Sequence, residues 1–236
     1  MGIMQKHSKI ISDIKELLSL LRKYEFDNIM ELYPLDNIVG RHDQNLVFSI
    51  DNLVLRVSSS GLKPYPKVSK FSIILKTNYR LQAKLIDNTD IFTDYSLEIF
   101  IKGYKDVTED SDEYKFFCWH LDKEENTDGK FMHPLYHFHA GGKDIKDFLY
   151  EESEVVIISS PRIPHPPMDI ILAIHFIIQN FVNSSEYPQK LKLLQDDNYV
   201  DIIERAQERI LKPYFNVMAG SESPSYTKHN LFPLYL

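Results

Sequence analysis

Apolar residues recur at three- and four-residue spacing over residues 8–24, where Ile10, Ile11, Ile14, Leu17, Leu18 and Leu21 alternate with Lys9, Asp13, Lys15 and Glu16. That period gathers the apolar side chains into one stripe and predicts an amphipathic helix. Ser8 or Ser12 is its expected cap, and Pro34 is expected to end any helix that continues through Ile29 and Leu32. The period then falls to two. Residues 46–50 and 53–57 are β-rich runs around Asp51-Asn52, which reads as a hairpin turn. Residues 71–86 alternate through Ile73, Leu75, Tyr79, Leu81, Ala83 and Leu85, which fits one long strand or a hairpin at Thr77-Asn78.

Three more strands are expected at 95–104, 113–122 and 133–140. The connections 106–112 and 123–130 are polar, the second reading as a hairpin with Asp128-Gly129. Residues 154–159 read as a further strand. After Pro167 the helical period returns over 169–183, breaks at Tyr187-Pro188, and resumes over 191–218 as one or two helices. The tail from Gly220 has no period. Short polar connections favour antiparallel pairing. The expected fold is therefore α+β: an N-terminal helix, an antiparallel β-sheet of about five to seven strands, and C-terminal helices packed on the sheet. Residues 1–183 form the expected α+β domain with a histidine-rich site. Residues 184–236 form a helical extension and tail within the same compact unit.

Composition narrows the function classes. The chain has 236 residues and a net charge of −7, which opposes broad, non-specific binding to nucleic acid but leaves room for a local basic groove. The single cysteine, Cys118, excludes an internal disulfide and a CxxC zinc knot, and its apolar neighbours read it as a buried small residue. A reducing, cytoplasmic setting fits that cysteine usage. No secretory signal is expected. The longest apolar run, 170–182, contains His175, Gln179 and Asn180 and is too short to span a bilayer, so no membrane association is expected.

The nine histidines are unevenly spread. Trp119-His120-Leu121-Asp122, then His133-Pro134-Leu135-Tyr136-His137-Phe138-His139, then Pro161-Arg162-Ile163-Pro164-His165, concentrate imidazoles within 51 residues, 119–169. On a strand, residues two apart share a face, so His120 goes with Asp122 and His137 with His139, while Tyr136 points the other way. Neighbouring strands would then assemble three imidazoles and a carboxylate.

Two chemistries fit. His120, Asp122, His137 and His139 are candidate ligands of a divalent metal ion such as zinc, manganese or iron. Alternatively, His120, Asp122, His137, His139 and Arg162 are candidate catalytic residues of a metal-free hydrolase. In that case histidines exchange protons and Arg162 holds phosphate. Each residue also has an ordinary role. Arg162 is able to pair with Asp122 or Asp169, Asp169 to open the following helix, and His165 to cap it. His175 is a core imidazole or a supporting residue of the site. Gly141-Gly142 is a turn or a close approach of backbone to a ligand.

Segment 95–181 resembles the TumE-type toxins of bacterial toxin–antitoxin modules, through Asp122, His133-Pro134, His137-Phe138-His139 and the segment into Asp169-Ile170-Ile171-Leu172. The resemblance covers about a third of the chain. It departs at Tyr136-His137, where the family tends to have adjacent histidines. It implies a bacterial toxin-like or defence-associated effector; joined to the histidine cluster and Arg162, the expected activity is that of a hydrolase of ribonuclease or phosphodiesterase type acting on RNA or a nucleotide. The alternatives are a non-enzymatic protein that binds a partner, as an antitoxin or defence-system subunit does, and a small-ligand sensor.

Overall fold

The structure is a computed structural model that describes residues 3–36, 38–42, 45–82, 89–105, 114–124, 133–141 and 162–235. Helix α1, Ile3–Lys23, buries Ile10, Ile14, Leu17, Leu18 and Leu21 on the predicted stripe. It begins before Ser8 and Ser12, so neither residue caps it. Short 3-10 turns follow at Phe26–Asn28 and Tyr33–Leu35, and Pro34 lies inside the second instead of ending a helix.

Among the described residues, seven strands then form one sheet in sequence order. They are β1 Val39–His42, β2 Asn45–Ser58, β3 Lys70–Leu81, β4 Phe92–Tyr104, β5 Lys115–Lys123, β6 Tyr136–Ala140 and β7 Ile163–Pro164. Every neighbouring pair is antiparallel, as expected.

One expected hairpin is absent. Residues 46–57 run as part of the single strand β2, and Asp51-Asn52 is a bulge where Ile50 opposes Thr77 and Leu53 opposes Leu75. The extra residue restores alternation across the odd spacing, so Ile50 and Leu53 both face the core. Thr77-Asn78 lies within β3, which selects the long-strand reading. The expectations for 106–112, for most of 123–130 and for 154–159 lie outside the described residues, as does Gly142.

Helix α2, Ile170–Phe181, is capped by Asp169, whose Oδ1 accepts from the Leu172 N–H at 3.0 Å. His165 therefore does not cap it; its Nδ1 lies 2.7 Å from the Pro166 carbonyl oxygen. A 3-10 turn, Lys190–Gln195, leads into α3, Asp197–Asn216, capped by Asp196. Helix α4, Lys228–Leu231, opens with a capping box at Thr227.

Charged contacts join the helices. Arg205 Nη2 lies 2.9 Å from Asp13 on α1, and Arg209 Nη2 donates to Asp169 Oδ2 at 2.6 Å. The aperiodic tail wraps back onto the sheet: the Leu135 N–H donates to the Asn230 carbonyl at 2.7 Å, and the Tyr226 hydroxyl donates to buried Asp90 at 3.2 Å.

The two sheet faces differ. Phe48, Leu55, Ile73, Leu75, Tyr79, Leu97, Ile99, Leu121 and Tyr136 form one buried core with the apolar faces of α1, α2 and α3. The opposite face carries a separate small cluster of Phe100 and Cys118, flanked by Ile74 and Phe116, and the polar residues of β4–β6. Among the described residues, no helix is long and apolar enough to cross a membrane.

Candidate functional site

Register decides what strand alternation left open. On β5 and β6, His120 opposes His139 and Asp122 opposes His137, so all four lie on the face away from the core. Tyr136 points into the core and is fully buried, as alternation predicts. Across the next seam Glu98 of β4 opposes His120.

Three of the four draw together. Asp122, His137 and His139 each offer a ligand atom, and the three atoms lie within 4.8 Å of one another. His139 Nε2 sits 2.9 Å from Asp122 Oδ2, and its Nδ1 is buried without a hydrogen-bond partner. His137 is buried, with Nδ1 at 3.1 Å from the Pro134 carbonyl oxygen. A carbonyl only accepts, so Nδ1 carries the proton and Nε2 is left as a lone pair.

Electrostatics prepares the same atoms. Burial lowers the His137 pKa and keeps the ring neutral at neutral pH. Burial opposes ionisation of Asp122, yet the hydrogen bond from His139 and the surrounding imidazoles hold it below the usual carboxylate range. A neutral imidazole and a carboxylate are the protonation states a divalent cation selects. A tetrahedral cation at ordinary bond lengths holds its ligands roughly 3.4 Å apart, so rotamer-scale shifts bring these three donors onto one ion.

His120 is not part of that set. Its Nε2 lies 3.3 Å from Cys118 Sγ and its Nδ1 lies 3.4 Å from Glu98 Oε1, so both ring nitrogens are engaged. Burial disfavours its charged form, but Cys118 and Glu98 outweigh that and push its pKa up to about 10. His120 lies outside the three donors that converge, so the structure brings together three of the four expected ligands. It stacks on His139 with ring centroids 5.2 Å apart. Cys118 is buried and its thiol donates to the Gly141 carbonyl at 2.8 Å, which suits a packed small residue.

Arg162 precedes β7, where Ile163 opposes Phe138 and Pro164 opposes His137. Alternation turns Arg162 toward the face of His137 and His139, and its positive charge contributes to the lowered His137 pKa. Neither expected counter-ion holds it: Asp122 is engaged by His139, and Asp169 by Arg209. His175 lies on α2, bonded to the Tyr199 hydroxyl at 3.0 Å behind the sheet, so it does not support the site. Glu98 was not singled out from sequence. Its parity within 95–104 was readable, but its position beside His120 needed the register.

Comparison with known proteins returned no matching family model, no matching curated protein and no matching solved structure.

Proposed function

We propose that Asp122, His137 and His139 hold one divalent cation of the zinc class and that the protein is a metal-dependent hydrolase. The supporting observation is the convergence of three donor atoms within 4.8 Å on a sheet face, one of the imidazoles having its remaining nitrogen tied to a backbone carbonyl. Two imidazoles and one carboxylate leave coordination positions for water and substrate, the arrangement of catalytic and not of closed structural sites. Such a cation activates water for attack at neutral pH. The orienting bond from His137 Nδ1 to Pro134 is the kind of outer contact that raises ligand basicity. In the cell this hydrolase acts as a cytoplasmic toxin-like or defence-associated effector of a bacterium. That setting rests on the resemblance of segment 95–181, whose Asp122 and His137-Phe138-His139 are the residues of the cluster.

Elemental analysis and thermal shift test the reading. Purified protein is expected to carry near-stoichiometric zinc, manganese or iron. Zinc at a hundred times its Kd stabilises the native state by about 2.7 kcal/mol, which raises Tm by roughly 5–11 °C for a chain of this size. The His137→Ala/His139→Ala variant loses both the metal and the shift, together with any growth arrest on expression. A variant that keeps its full cellular effect rejects the hydrolase.

A second reading, docking of a protein partner on the helical lobe, is favoured by the exposure of Phe215, Met218, Leu234 and Tyr235 at the end of α3 and the last turn. Stable co-purification of one protein that survives the double histidine variant selects it.

A further inference from the structure

We infer that the substrate group taken by this site is a phosphoryl group, held by Arg162 beside the Asp122–His137–His139 cluster. The inference deepens the hydrolase reading and rests on it for the chemical step. Its basis is a guanidinium with no counter-ion among the described residues. Arg162 is half-buried, its Nε is shielded from solvent and unbonded, and among the described residues no carboxylate pairs with it. The other half-buried arginines among the described residues each have a carboxylate: Arg56 has Glu31, Arg80 has Asp94, Arg205 has Asp13 and Arg209 has Asp169. A shielded guanidinium N–H with no acceptor among the described residues is costly, and on a positively charged group it points to an anion supplied from outside the chain.

The chemistry of the anion follows from its position. A guanidinium next to the reacting centre is matched most directly by a reacting group that itself carries negative charge in the ground state. Phosphate esters meet that condition, whereas a scissile peptide or carboxylic ester is neutral before attack. The planar fork matches two phosphoryl oxygens at once. In the step, a water oxygen forms a bond to phosphorus and loses one proton to bulk base. The ester P–O bond breaks, and the departing oxygen takes up one proton. Diester and water thus become monoester and alcohol, with no redox partner. Arg162 neutralises charge on the equatorial oxygens while this happens.

Inorganic phosphate and bis(p-nitrophenyl) phosphate test the assignment on the full chain, with and without zinc. Phosphate is expected to raise Tm, and Arg162→Gln to weaken phosphate binding by about 10- to 100-fold, the size of a lost charge-assisted fork. Arg162→Lys recovers part of it. Zinc content and the zinc-induced Tm shift are expected to be the same in Arg162→Gln as in the parent, which separates anion binding from folding and from metal binding. The zinc-loaded parent is expected to cleave the diester and not p-nitrophenyl acetate. Phosphate binding that is absent from the parent, or equal in parent and Arg162→Gln, overturns the proposal. Cleavage of the acetate without the diester overturns it too. If zinc fails to bind while phosphate still binds through Arg162, the metal-dependent hydrolase falls and the phosphoryl site stands.

Discussion

Asp90→Ala is expected to be among the most damaging single changes outside the apolar core. The Asp90 carboxylate is buried and accepts the Tyr136 hydroxyl at 2.9 Å, the Tyr226 hydroxyl at 3.2 Å and the Phe92 N–H at 3.0 Å, and Lys123 Nζ lies 3.3 Å away. It joins the start of β4, the end of β5, the start of β6 and the C-terminal tail. Truncation leaves three donors and an ammonium without their acceptor. Each stranded buried group costs about 1–3 kcal/mol, and relaxation makes the sum less than additive. Lys123 keeps its bond to the Phe92 carbonyl at 2.9 Å, which softens its share. The expected loss is therefore about 4–6 kcal/mol against a total stability of about 5–15 kcal/mol, or roughly 8–24 °C in Tm.

The sign of the charge effect distinguishes a second variant. Burial pushes the Asp90 pKa up. Its contribution is complete below the unfolded value of about 3.8 and is lost as pH rises through the folded value, so at neutral pH the ionised form is under strain from desolvation. Asp90→Asn keeps an acceptor and removes that charge, so it is expected to cost far less than alanine. Tyr226→Phe, which removes one hydroxyl, is expected to cost about 1–3 kcal/mol. Urea and thermal unfolding measure all three. An Asp90→Ala chain within about 1 kcal/mol of the parent would refute the clamp.

Three further outcomes are expected. Asp169→Ala removes the α2 cap and the 2.6 Å partner of Arg209, leaving it Asp13 at 3.9 Å, which should cost about 3–5 kcal/mol, with part of it recovered by the double change to Asp169→Ala/Arg209→Met. Burial lowers the pKa of His137, His165 and His175, so their native states resist a proton that the unfolded chain accepts. Metal-free stability is therefore full above about pH 6.5 and falls as pH drops below it. His120, raised to about 10, contributes fully below about 6.5 and loses its contribution as pH rises toward 10. Melts from pH 5 to 9 should peak near neutrality, and a Tm higher at pH 5 than at pH 7 contradicts the assignment. His175→Gln should flatten the acid limb.

Much of this arrangement was legible in the chain. The three-and-four spacing of Ile10, Ile14, Leu17 and Leu21 is a strong local signal, and α1 follows it. Asp169 before an apolar helical run is a cap in sequence and in structure. The misread hairpin shows the limit. Asp51-Asn52 is turn-like by composition, but β3 offers a continuous partner to both flanking runs, and pairing with it outweighs the local preference. The odd spacing between Ile50 and Leu53 was the available sign of a bulge.

The site divides in the same way. Period-two alternation within 119–122 and 136–140 assigns faces, because each strand carries its own parity. It does not say which residue stands opposite which, since that depends on a register set by several strands together. Register brings Asp122 to His137 and His139 and turns His120 toward Glu98 and Cys118, where its nitrogens are consumed. The ion pairs follow the same logic: Arg162 had two carboxylates within plausible reach in sequence, and both are taken by residues far away in the chain. His139 is 17 residues from Asp122 and Arg209 is 40 from Asp169. The fold thereby withdraws from Arg162 the partners that would have made it structural. One sheet face holds the core, and the Arg162 guanidinium, with no counter-ion among the described residues, lies on the other.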